Sequence, residues 1–187
     1  MDTNLTLNSL KLKLSSLGAI RPQAWIKIMY AVNETGLKVD ESFNREIGSV
    51  AFVVNGLLKE YDPYLRKKPS IINFISAGNF FVTTKFNQKR YLKAITETTI
   101  LYLNFHDLTS LYLRYNELKS VYDSIVASYE EETSFRHLML EEKLAPVRIQ
   151  NFIIKYRTIL SQIKKKDVAN YTHLEYEYFI RIYGKLL

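Results

Sequence analysis

The spacing of apolar positions changes twice along the chain. From Leu5 to about Asn33 the apolar residues of LTLNSLKLKLSSL recur at steps of three and four, the period of a helix, while WIKIMYAV (Trp25 to Val32) fits either a second helix or a first strand. From Leu37 to Leu103 the texture becomes short β-branched and aromatic runs: AFVV, GLLKEY, SIINFI, NFFVTT, RYLKAIT and TTILYL. They are cut by Asn55-Gly56, Asp62-Pro63, Lys68-Pro69 and Gly78-Asn79, which reads as a small antiparallel barrel or sandwich. After Asn104 the pattern is helical to the end: one helix over Phe105 to Tyr115 and a longer one from Glu117 to about Glu142, with no proline or glycine inside.

Two helical segments carry candidate function. The long helix lines up Leu118, Val121, Tyr122, Ile125 and Tyr129 on one stripe, followed by Glu130, Glu131 and Glu132 and then Phe135, Leu138 and Leu140. A stripe of that length suits a seam between two copies; the alternative is that it packs on the β part of its own chain. The tail, Phe152 to Leu187, spaces its residues as two short helices joined by a polar turn and preceded by Lys164, Lys165 and Lys166. The first helix, about Lys166 to Tyr171, points Val168 and Ala169 inward, with Leu174 following. The second, Glu175 to about Lys185, lines up Phe179, Ile182 and Leu186 and leaves Tyr176, Glu177, Ile180 and Arg181 outward. This is a helix-turn-helix layout, and an exposed acceptor and guanidinium near a helix start can read base edges in a major groove. The same pattern also fits a terminal helical hairpin that only packs on its own domain.

Composition narrows the picture. At 187 residues, the chain has enough apolar content for one large domain or two small ones. No apolar run approaches the roughly 20 residues needed to cross a bilayer, and Met1 to Ser9 lacks the basic start and apolar core of a secretory signal. With no cysteine, disulfides, thiolate metal sites, iron–sulfur clusters and cysteine nucleophiles are excluded; a cytoplasmic location is expected. The net charge of +7 is uneven: residues 141–187 hold nine Lys or Arg against five Asp or Glu, and residues 105–140 hold three against six. The basic excess brackets the candidate DNA reader and raises phosphate affinity without sequence selectivity.

The order of elements, with two gap-free blocks, resembles the Crp/Fnr family of bacterial transcription regulators. The first block is FVVNGLLKEY, Phe52 to Tyr61, similar to a barrel hairpin built around a glycine at Gly56, and it continues through ISAGNFF, Ile75 to Phe81. The second, Phe152 to Ile182, is similar to the family's tail: Val168, Ala169 and Tyr171 stand for an Ile-Ala-x-Tyr helix, and Glu177, Phe179, Arg181 and Ile182 for the recognition helix. The chain looks most like the shorter members found in Bacteroidetes-type bacteria. The resemblance implies an α+β fold. It has a cyclic-nucleotide-binding-like antiparallel jelly-roll barrel with flanking helices (1–115), a long dimerisation helix (116–142) and a helix-turn-helix domain lacking a complete wing (143–187).

Carried over residue by residue, the effector site is degenerate. The family's phosphate-pairing arginine falls on Gln88 and its Gly-Glu pair on Val82 and Thr83, within a pocket otherwise made of Phe81, Lys89 and Arg90. Gln88 cannot neutralise a phosphate as a planar cation does, and Val82 brings a side chain where backbone must approach the ligand. Cyclic AMP is therefore not the expected effector. Lys85, Lys89 and Arg90 either recruit some other small anion or form a solvated basic face. In the DNA reader, His173 replaces a small or glycine turn residue, Thr172 a core leucine and Glu175 the Ser or Thr cap, while the chain stops at Leu187 where relatives continue into a β wing. By resemblance Tyr176, Glu177 and Arg181 face bases, with Lys164, Lys165 and Lys166 near phosphates.

Enzyme chemistry has little to stand on. The histidines His106, His137 and His173 all lie in the helical half, so no metal site is expected from the barrel; no nucleophile elbow, phosphate loop or dinucleotide fingerprint occurs, and no cofactor is expected. The expectation is a homodimeric regulator of double-stranded DNA away from membranes. The alternative is a relative that has lost DNA binding and serves as a ligand-sensing or protein-interaction module.

Overall fold

Pro22 opens the first turn of a helix where its missing N–H costs nothing, and this decides the ambiguous WIKIMYAV segment. In the computed structural model, which describes residues 3–186, α1 spans Thr3–Leu17 and α2 spans Pro22–Ala31, with Ala24, Trp25 and Ile28 buried. Eight strands follow: β1 (Asn33–Leu37), β2 (Ser42–Phe43), β3 (Val50–Asn55), β4 (Leu57–Asp62), β5 (Ser70–Ser76), β6 (Phe80–Val82), β7 (Tyr91–Ala94) and β8 (Thr98–Leu103). The helical half comprises α3 (Phe105–Arg114), α4 (Glu117–Glu141), α5 (Ala145–Lys155), a 3-10 turn at Leu160–Gln162, α6 (Lys165–Tyr171) and α7 (Tyr176–Leu186). Asn104 caps α3 by accepting the Asp107 N–H at 2.9 Å.

The strands form two antiparallel four-stranded sheets, ordered β1-β8-β3-β6 and β2-β7-β4-β5. Each apolar run singled out between Ala51 and Leu103 falls on a strand from β3 to β8, whereas β1 and β2 were not expected. β1 is an edge strand paired only with β8, and its NETGL residues are mostly exposed, so it carries no apolar signal. The Asn55-Gly56 turn also differs from the expected hairpin, because β3 and β4 belong to different sheets. Gly56, at φ 86°, passes the chain from one sheet to the other; a Cβ there would meet the Glu97 carbonyl oxygen and lie 2.8 Å from Thr98 Cα.

Two cores result. The first lies between the sheets and under α1 to α4, with Phe52, Val53, Phe81, Leu92 and Ile100 nearly or fully inaccessible. Of the stripe expected at a seam between copies, Leu118, Val121, Ile125 and Tyr129 are buried in this core and Tyr122 packs against it. The opposite side of α4 exposes Lys119, Asp123, Glu130, Glu131 and Glu141; Leu138 is also exposed, but the stripe from Leu118 to Tyr129 is covered by the chain's own barrel and helices. The second core joins Leu57, Ile71 and Phe74 of the barrel to Met139, Ile149, Phe152, Tyr156, Val168, Tyr171, Phe179 and Tyr183. The tail helices therefore share a core with the barrel.

Candidate nucleic-acid interface

The turn between α6 and α7 keeps its geometry with unexpected residues. His173 adopts φ 58°, the left-handed conformation in which glycine is usual. Its N–H donates to Asn170 O at 3.2 Å and the Leu174 N–H to Ala169 O at 2.9 Å, the paired bonds that satisfy orphan carbonyls at a helix end. Thr172 is fully buried, and its hydroxyl donates back to Val168 O at 2.8 Å, so a polar side chain is accommodated where a leucine was expected. Glu175 immediately precedes α7, its carbonyl accepting the Phe179 N–H at 2.9 Å.

α7 buries Phe179 and Tyr183, with Ile182 and Leu186 partly buried, and exposes Tyr176, Glu177, Tyr178, Ile180 and Arg181. Lys164, Lys165 and Lys166, at the start of α6, are also exposed. Cation–ring contacts tie the two helices together: Lys166 Nζ lies 5.6 Å from the Tyr176 ring and Lys165 Nζ 5.4 Å from Tyr183, while Arg181 sits 5.8 Å from Tyr178. The result is a continuous cationic and aromatic face. Tyr178 and Tyr183 were not singled out from the sequence, although their spacing from Arg181 and Phe179 carried the signal.

The inner side of α6 docks on the barrel. Asn170 fastens it to the start of β5, its Oδ1 accepting the Ile71 N–H at 2.7 Å and its Nδ2 donating to Pro69 O at 3.0 Å. Asp167 pairs with Lys59 at 3.0 Å. Burial opposes the Lys59 charge most strongly of any one cause, but Asp167 and Tyr61 together outweigh it and raise the ammonium above its ordinary pKa. The outer face of α7 takes no part in this docking.

The six residues expected to line an effector pocket do not come together. Phe81, Val82 and Thr83 are buried, Gln88 and Lys89 are exposed, and Arg90 is half-buried. Gln88 Nε2 donates to Lys85 O at 3.0 Å, Lys89 lies over the Tyr64 ring at 5.3 Å, and Arg90 pairs with Asp62 at 3.5 Å. Arg45, from the loop before β3, occupies the inner side of β6. Its guanidinium pairs with Glu60 at 2.5 Å and donates to Val82 O at 2.7 Å and Thr83 Oγ1 at 3.2 Å, while Tyr129 of α4 donates to Glu60 at 2.6 Å. The Arg45 and Glu60 side chains are 2% and 0% exposed. Burial works against the Arg45 charge, yet Glu60 and Tyr129 more than offset it and raise its pKa. A buried polar network thus takes up Val82 O and Thr83 Oγ1, from two of the residues expected at the effector pocket.

No protein-family model matches the chain, and no curated protein matches it either. Its likeness is to solved structures. FixK2 from Bradyrhizobium japonicum has a TM-score of 0.69 at 19% identity, covering 83% of this chain and 84% of that one. The c-di-GMP responsive global regulator CLP of Xanthomonas campestris gives 0.65 at 11% identity, covering 89% and 91%. A CRP-family transcriptional regulator from Thermus thermophilus gives 0.62 at 12% identity, covering 81% and 83%. At these identities the likeness defines the fold: a cyclic-nucleotide-binding-like barrel with a long helix and a helical tail, as in Crp/Fnr proteins. No helix among the described residues is long and apolar enough to cross a membrane.

Proposed function

We propose that this chain is a Crp/Fnr-like transcription regulator that binds double-stranded DNA through α7, two copies to a twofold site. The observation that carries the reading is the continuous outer face of α6 and α7. Lys164, Lys165 and Lys166 would engage phosphates, and Tyr176, Glu177 and Arg181 base edges. Arg181 is the specificity residue, because a guanidinium can grip guanine O6 and N7 together. Cyclic AMP is not the effector: Gln88 is bonded to its own loop and Arg45 fills the inner side of β6.

Anisotropy titrations on duplex DNA at several salt concentrations test this. Log affinity should fall linearly with log salt, by about 0.9 per phosphate neutralised. Lys164→Glu, Lys165→Glu and Lys166→Glu should weaken every sequence alike; Arg181→Ala should weaken only particular sequences, by about 1–3 kcal/mol. Indifference to duplex DNA at about 50 mM salt would defeat the reading. One observation favours the alternative: the α4 stripe is buried in its own chain, as expected of a module that works singly. A DNA-indifferent protein of either oligomeric state would establish that alternative.

A further inference from the structure

A cleft of about 420 Å³ opens where the barrel, α4 and the α6–α7 turn meet, and its lining is strongly basic. Arg66, Arg90, Arg136, His137 and His173 line it with one carboxylate, Asp62, which is already paired with Arg90 at 3.5 Å, while His137 reaches Glu141 at 3.8 Å outside the lining. Arg136 is the unusual member: a long cation projecting from the C-terminal part of α4, only 6% exposed. Its Nε donates to Tyr171 O at 3.0 Å and its guanidinium lies 5.5 Å from the Tyr171 ring. That capping bond uses one of five N–H groups, and among the described residues Arg136 has no carboxylate partner. Arg66, by contrast, is held by Ser70 at 2.6 Å and Asn170 O at 3.4 Å, which fixes a second fork at the cleft wall. Buried cations are ordinarily paired, so this excess of positive charge points to a missing negative partner.

We propose that this cleft is a binding site for a small dianion, a phosphate monoester or a dicarboxylate, clamped between Arg66, Arg90 and Arg136. The volume is that of a metabolite-sized site, and planar guanidinium forks match either group. The anion would bridge the β4–β5 loop, the start of β7 and α4, beside His173 of the α6–α7 turn. The site stands independently of DNA binding. The electrostatics agree: burial and then the neighbouring Arg66, Arg136 and Arg148 hold His173 below its ordinary pKa, and burial together with Arg66 lowers that of Arg136.

The full chain is titrated separately with inorganic phosphate, succinate and, at matched ionic strength, chloride, while the imidazole resonances of the three histidines are followed. Saturable movement of His173 and His137 with His106 unmoved supports the site; phosphate alone, succinate alone or both producing it tells the two dianion classes apart. Because losing Arg136 could loosen the end of α6, the test uses Arg66→Gln and Arg90→Gln, each expected to weaken binding about tenfold or more. Arg136→Lys, which retains charge but not the fork, should weaken it as well. No saturable response to either dianion, an equal response to chloride, or full affinity in the Arg66→Gln/Arg90→Gln protein overturns the proposal.

Discussion

Single residues decide the two places where the chain departs from expectation. Arg45 and Glu60 are a buried pair linked to α4 through Tyr129, so removing one partner strands the other charge in the core. Glu60→Ala should therefore destabilise the protein by about 3–5 kcal/mol in urea denaturation, against about 0.5–1.5 kcal/mol for Tyr129→Phe. Equal, small effects would show that water reaches Arg45. At the helix turn, His173 stands in left-handed backbone. His173→Gly should be close to neutral, whereas β-branched His173→Val should lose about 1–2 kcal/mol. The charge on His173 gives a further handle. It is depressed by burial, then by Arg66, Arg136 and Arg148, with Glu175 opposing. As pH falls through the ordinary histidine range, near 6.5, the unfolded chain takes up this proton first. Its contribution to stability is complete above that range and is lost below it. His173→Asn should flatten the acid side of a stability–pH curve recorded between about pH 7 and 5.5.

At the level of elements, the aromatic cluster under the tail explains what the sequence made legible. Phe152 packs against Phe74, Tyr156 and Tyr171 with ring centroids 5.8, 4.9 and 5.1 Å away, and it is fully inaccessible. Phe152→Ala should cost about 3–5 kcal/mol, and because the cluster spans barrel and tail, both should melt in one transition in calorimetry. Separate melting of the tail would show that the second core does not couple them. Strands β3 to β8 were readable because each is an apolar run bounded by turn residues, and α3, α4, α6 and α7 because their inward positions keep helical spacing. The docking of the tail on β5 carried a signal in the sequence: in SIINFI apolar residues fall on both faces of an alternating strand, Ile71 and Ile75 on one and Ile72 and Phe74 on the other, so both faces had to be covered. The spacing along α4 reports which side is buried, not whether a second copy or the same chain buries it. The surroundings of β6 were illegible for a related reason. Arg45 lies outside the stretch whose spacing was compared, and only the fold brings it to β6.

For the whole molecule, the burial of the α4 stripe changes how two copies could meet. The remaining side of α4 is charged, and each copy carries a net charge of +7, so two free copies repel and have little apolar surface on that helix to set against the repulsion. On the function proposed above, duplex DNA would remove the obstacle, since its phosphates would neutralise both tails and its helical repeat would set the two α7 helices about 34 Å apart. The 21.9 kDa chain should accordingly sediment as a single copy when free at low micromolar concentration and bind a twofold duplex two to one. The second copy should bind more tightly when half-sites lie a full turn of about 10 base pairs apart than when they lie half a turn apart. Sedimentation of the free chain as a stable dimer, unaffected by salt, would mean that an apolar surface other than the α4 stripe joins the copies. Spacing-independent binding would mean that each α7 reads DNA without reference to the other.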